Sequence, residues 1–188
     1  MKRLWRACLM PLLAVSALAH AAPQATPSAL PDQTNAVVDS FYKLVMARHP
    51  FGIPDLDVFR PYLSEKLLHE FDQTKACFEN WRRENPDPKL KPPVSLGDYA
   101  LFSGGNRDMD PQTFHIDRTE SGNDGTSRVD VKLISEDASR KLTWYVAAAV
   151  VRENGRPVVD DVLYLKGTDR DIDFRLSDLL KLGCKGSS

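Results

Sequence analysis

The chain predicts an α+β fold, with N-terminal helices packed on a curved antiparallel sheet and a short C-terminal helix. Two observations carry that prediction. Apolar residues recur at helical spacing before about residue 84 and alternate beyond about residue 96, which is the order of helices followed by a strand meander. The longest apolar run, residues 142–151, leads into Glu153-Asn154-Gly155-Arg156, whose composition is that of a tight hairpin turn.

The first residues are read apart from the fold. Lys2, Arg3 and Arg6 precede an apolar stretch from Ala7 to Ala19, followed by His20-Ala21-Ala22. Charged, apolar and small-residue regions in that order make a secretory signal, and the apolar part is too short to span a bilayer. Residues 1–21 are therefore expected to be removed after Ala21, with Ala19 as a second possible end, and the mature protein is expected in a periplasm. Cys8 lies ahead of most of the apolar run, the wrong place for a lipidated cysteine, and leaves with the signal. No later segment is apolar enough to insert stably in a membrane.

Loss of three basic residues and no acidic one takes the formal charge from -1 to -4. A mildly acidic chain lacks the basic face and high pI of a polyanion binder, which argues against nucleic acid as a partner. Roughly 165 residues then remain, enough for one domain with a single core. Residues 22–31, with Pro23, Pro27 and Pro31 among small side chains, read as a disordered leader, so the domain is placed at residues 32–188.

A first helix is expected from Asp32 or Thr34, presenting Val37, Val38, Phe41, Leu44 and Val45 on one face and ending at His49-Pro50. Asp55 to Phe59 reads as a short turn. Ser64 caps a longer helix carrying Leu67, Phe71, Phe78 and Trp81, which Asn85-Pro86-Asp87-Pro88 stops. Strands follow at residues 99–102, 113–119, 128–134, 142–151 and 158–165. Gly122-Asn123-Asp124-Gly125 turns the chain between the second and third of these. A last helix is expected over residues 174–182, with Gly183 as its stop and the acidic run Asp169-Arg170-Asp171-Ile172-Asp173 capping its start.

Cys77 and Cys184 survive processing, and an even count in an oxidising compartment reads as one disulfide between them. It would close a loop of 107 residues, worth about 4 to 5 kcal/mol at most. An intermolecular bond and a redox role are the rival readings, the latter weakened by the absence of Cys-x-x-Cys.

Residues 142–151, the Glu153-Asn154-Gly155 turn and Val158-Val159-Asp160-Asp161-Val162-Leu163-Tyr164 resemble the closing hairpin of small exported bacterial members of one superfamily. That superfamily is the cone-shaped, cystatin-like fold shared by ketosteroid isomerase and nuclear transport factor 2, and the resemblance covers residues 34–165. It implies a pocket between the helices and the open end of the sheet. Fold alone does not carry a role with it. Isomerase chemistry needs a carboxylate base together with a tyrosine and a neutral carboxylic acid. Tyr42, Tyr62, Tyr99, Tyr145 and Tyr164 with Asp160 and Asp161 show no spacing that matches that set, so no catalytic residue is carried over.

Asp160-Asp161 still stands out, since neighbours on a strand face opposite ways and one carboxylate is expected on the concave side near Trp144 or Tyr145. These four residues are the ligand-binding candidates. The competing reading pairs the aspartates with Arg128, Arg152 or Lys132 across the sheet.

Metal and cofactor signatures fail. His69-Glu70-Phe71-Asp72-Gln73 has glutamine where a zinc-protease helix needs its second histidine. The run from Asp169 lacks the glycine and the bidentate acid of a calcium loop. His49, His69 and His115 are scattered, and neither a serine elbow nor a phosphate loop is present.

Two functions remain. The first is a non-enzymatic periplasmic binding or protein-interaction module, of inhibitor or immunity kind, for an unidentified protein or envelope component. The second is a small pocket enzyme or ligand carrier. Within the first, residues 82–91 and the loop 104–111 are the candidate recognition segments.

Overall fold

The structure is a computed structural model of the full chain, and it describes residues 29–87, 89–92, 96–106, 109–136, 140–166 and 170–184. The expected signal, residues 1–21, and residues 22–28 of the expected leader lie outside the described residues. Helix α1 (Ala29–Arg48) begins three residues earlier than the expected Asp32. Pro31 does not prevent this, because the first turn has no intrahelical partner for its N–H groups. Val38, Phe41, Tyr42 and Val45 form its fully buried face, and Val37 and Leu44 are only partly covered. The helix ends where expected, with His49 at φ 44° ahead of Pro50.

Asp55 caps α2 (Leu56–Phe59), which passes through a 3-10 turn (Arg60–Tyr62) to Ser64. Ser64 caps α3 (Glu65–Glu84) by accepting from the Leu67 N–H at 3.0 Å. Leu67 and Phe71 are buried as their spacing requires. Phe78 and Trp81 are only partly covered, because the second half of α3 extends past the core.

Residues 99–102 do not form the single strand their alternation predicts. Tyr99–Ala100 (β1) pairs with Gly105–Asn106 (β2), and Leu101 to Gly104 make the turn between them. Glycines 104 and 105 allow that reversal within the segment read as a polar loop.

The main sheet is an antiparallel meander in chain order: β3 (Thr113–Ser121), β4 (Ser127–Glu136), β5 (Lys141–Glu153), β6 (Arg156–Lys166) and β7 (Asp171–Arg175). The β5–β6 turn has φ 51° at Asn154 and 79° at Gly155, the paired positive values of a type I′ hairpin. Strand β7 corrects the reading of the acidic run as a helix start. Asp171-Ile172-Asp173-Phe174-Arg175 alternates as an edge strand does, and α4 (Leu176–Cys184) begins only after it and continues through Gly183.

Register shifts occur at three places, each leaving one aspartate out of the ladder: Asp117 in β3, Asp160 in β6 and Asp173 in β7. Bulges bend a strand and increase its twist, so these positions curve the sheet around α1. Val129, Val131, Leu133, Val146, Ala148, Val150, Val159 and Val162 meet the helices from the concave side. The outer side is partly covered as well, with Ala147 fully buried and Leu163 4% exposed, as the two apolar faces of β5 anticipate.

Candidate functional site

Part of the space between the helices and the concave face of the sheet is filled by the chain itself. The turn Leu101 to Gly104 packs there, with Leu101, Phe102 and Ser103 between 1% and 2% exposed. Three aromatic side chains from three elements each donate to one of its carbonyls. Tyr42 on α1 donates to Phe102 O at 3.1 Å, Tyr164 on β6 to Leu101 O at 2.8 Å, and Trp144 on β5 to Ser103 O at 2.7 Å. A buried phenol or indole needs an acceptor, and a turn has carbonyls to offer. The Phe102 ring enters a cluster of aromatics, with centroids 5.0 Å from Phe41, 4.9 Å from Phe59 and 5.8 Å from Phe71. At Gly104, φ is +67° and a Cβ would stand 2.8 Å from the Tyr164 ring, so the turn tolerates no side chain there.

Burial lifts the Tyr42 hydroxyl far above its ordinary 10.0, and burial, helped by the nearby Tyr42 and Asp161, does the same to Tyr164. A raised folded-state value means that the neutral form is required for folding. The stability these buried phenols contribute is thus fully present below pH 10.0 and is lost as pH rises beyond it. Urea titrations at increasing alkaline pH are expected to show Tyr42→Phe with a shallower loss than wild type, by up to about 1.4 kcal/mol per pH unit. Equal slopes would mean that Tyr42 ionises freely in the folded chain.

The four ligand-binding candidates are not brought together. Trp144 and Tyr145 sit opposite Leu133 and Lys132, whereas Asp161 sits opposite Ala149, about 13 Å farther along β5. Trp144 is engaged by the turn, and the Tyr145 ring lies under the Arg170 guanidinium, 4.2 Å from its centroid. The bulge sends Asp160 toward α3, where it accepts from Ser64 Oγ at 2.7 Å and Lys66 Nζ at 2.8 Å. Burial lowers the Lys66 pKa, but the bond to Asp160 and its charge outweigh that and hold the ammonium above its ordinary value.

Asp161 is 3% exposed and serves α4. It accepts from Ser177 N at 3.1 Å and Ser177 Oγ at 2.7 Å, and Arg175 stands 3.8 Å away. A carboxylate at the first turn meets N–H groups that have no intrahelical partner. Both aspartates therefore have partners, though not the predicted Arg128, Arg152 or Lys132.

Arg128 belongs to a cluster on the outer face that the sequence reading missed. Asp130, 1% exposed, accepts from Arg128 Nε at 2.7 Å, Arg118 Nη2 at 3.1 Å and Arg170 Nη1 at 3.4 Å. Asp117 pairs with Arg170, and Glu120 with Arg118 at 3.1 Å. Asp130 follows the alternation of β4 and faces outward as expected. Arg118, Arg128 and Arg170 all reach it, and the last of these, 40 residues away in the sequence, is the contact that local pattern does not reveal.

No protein-family model, curated protein or solved structure matches this chain. The physical reading of the site therefore rests on its own geometry. Among the described residues, no group of three or more His, Cys, Asp or Glu is placed to hold a metal ion, and no helix is long and apolar enough to cross a membrane. Open clefts lie on the exterior instead. One of about 420 Å³ lies between residues 53–60 and α3 at Asp72 and Lys75, and one of about 350 Å³ between Phe51, Phe78, Arg82 and Pro92.

Proposed function

We propose that the chain is an exported periplasmic module that works by binding a protein or envelope component at its surface, without catalysis, on a scaffold of the ketosteroid-isomerase-like kind. The observation that supports this is the buried turn at Leu101 to Ser103, packed between the helices and the concave face of the sheet. A ligand carrier or pocket enzyme of that superfamily needs the volume that Leu101, Phe102 and Ser103 occupy here, with their carbonyls already committed to Tyr42, Tyr164 and Trp144. Surface recognition leaves that turn in place.

Export and a Cys77–Cys184 disulfide belong to the same proposal. Cys77 is disulfide-bonded, and the side chain of Cys184 lies outside the described residues. Thr74 Oγ1 on α3 donates to Leu180 O on α4 at 3.1 Å, and each cysteine lies about one turn beyond that contact on its helix. Expressed in a Gram-negative host, the chain is expected in the periplasmic fraction, shortened by residues 1–21. Non-reducing peptide mapping is expected to link Cys77 to Cys184, and reduction to lower stability by about 2 to 4 kcal/mol. Retention of the first 21 residues or free thiols would contradict these points.

The interaction reading is tested by photo-crosslinking in intact cells, with crosslinkers on the exterior loops and in the cone mouth. Adducts confined to the loops support it. A small molecule crosslinked at the mouth, with Leu101 to Gly104 displaced, would favour the pocket reading.

A further inference from the structure

We propose that the cleft walled by Phe51 and Phe78 takes a short acidic peptide segment of a partner protein, with an apolar side chain as its anchor. This rests on the interaction-module reading and names the surface and the partner chemistry. The cleft, of about 350 Å³, lies between α3, the segment after α1 and the segment before β1; Ile53 and Leu96 help to line it. A volume of that order accommodates one or two large side chains. The backbones of Gly52 and Gly97 approach so closely there that a Cβ on Gly52 would meet Gly97 Cα at 3.2 Å. Gly52 also has φ +69°, so the cleft is built on a backbone geometry that other residues resist.

Apolar surface continues outside the cleft. Tyr99, whose carbonyl accepts from Gly52 N at 2.8 Å, is 49% exposed, and Leu90, two residues before the lining Pro92, is 51% exposed. Of the large apolar side chains described, these two are the most exposed. An elongated occupant would cover both, whereas a small molecule held in the cleft would leave them in water.

Charge selects the occupant. Arg82 lines the cleft and is exposed, and Arg82, Arg83, Lys89 and Lys91 form no ion pair among the described residues. Between residues 82 and 91 these four cations are accompanied in the sequence by only two acidic residues, Glu84 and Asp87, in a chain whose overall charge is negative. Arg82 in the cleft wall, with Lys91 next in sequence to the lining Pro92, complements carboxylates flanking an apolar anchor. The chain's own residues 22–28 carry no acidic side chain and do not meet that requirement. An anionic membrane fits less well than a peptide, because the apolar lining is recessed in a cleft and not presented on a convex face.

A phage-displayed random heptapeptide library selected on the full chain tests this, with recovered peptides titrated by fluorescence anisotropy. Enrichment of Asp or Glu beside Phe, Leu or Trp is expected, with affinity falling about tenfold or more for the double variant Arg82→Glu, Lys91→Glu and weakening with salt. Both side chains are exposed, so the variant is expected to melt as wild type does. Selection without an acidic consensus, or equal binding by the variant, would overturn the proposal. So would flotation of the chain with phosphatidylglycerol vesicles that the variant abolishes while peptides fail to bind. A periplasmic partner crosslinked equally to wild type and variant would remove this cleft and leave the interaction module standing. A small molecule seated in the cone mouth would remove the module itself.

Discussion

Phe102→Ala is expected to cost about 3 to 5 kcal/mol of stability and to leave a void that small aromatic molecules can enter. Phe102 is 1% exposed and touches the rings of Phe41, Phe59 and Phe71, which come from α1, α2 and α3. None of these side chains can close the gap without leaving its own packing. A void lined by apolar rings stays dry and admits benzene-sized guests, so benzene or indole is expected to raise the melting temperature of the variant and not that of wild type. A loss below about 1 kcal/mol, or no guest effect, would show that the turn relaxes into the space and does not act as a rigid stopper.

Asp130→Ala is the second large effect. Removing one partner of a buried ion pair typically costs 3 to 5 kcal/mol, because the opposite charges stay desolvated. Here Arg118, Arg128 and Arg170 are 47%, 24% and 21% exposed, so they recover some hydration and about 3 kcal/mol is expected. Urea denaturation measures the loss. Hydrogen exchange is expected to rise at Arg170 and in β7, since Asp130 holds Arg170 directly and orients Arg128, which donates to the Arg170 carbonyl at 2.9 Å. Asp130→Asn is expected to keep part of the stability, as an amide oxygen still accepts from Arg128. A loss under 1 kcal/mol for the alanine variant would mean that Asp117 and Glu120 suffice to hold the three guanidiniums.

The fold was legible where periodicity and turn chemistry agree. The α3 cap at Ser64, the two hairpins at Gly122–Gly125 and Asn154-Gly155, and the inward rows of β4 and β5 follow from local pattern alone. Strand β7 was missed because its Asp171 and Asp173 suit a helix start as well as an edge strand. Pairing with β6, a non-local event, decides between them. The site was less legible for the same reason. Alternation places Asp160 and Asp161 on opposite faces of a regular strand, but the bulge removes that regularity, and no composition rule announces it. The turn at residues 101–104 was hidden in another way. Its carbonyls are invisible in a sequence, though inward positions for Tyr42, Trp144 and Tyr164 required acceptors somewhere nearby.

The tethered turn also fixes how the stability of this protein responds to its surroundings. A receptacle filled by a diffusing ligand gains stability with the logarithm of that ligand's concentration and softens when the supply falls. Residues 101–104 are joined covalently to the strands they sit between, so their effective concentration there is set by chain geometry and cannot be diluted. The space on the concave side of the sheet is therefore equally occupied in rich and in depleted media, and its rigidity is independent of the supply of any small molecule around the protein.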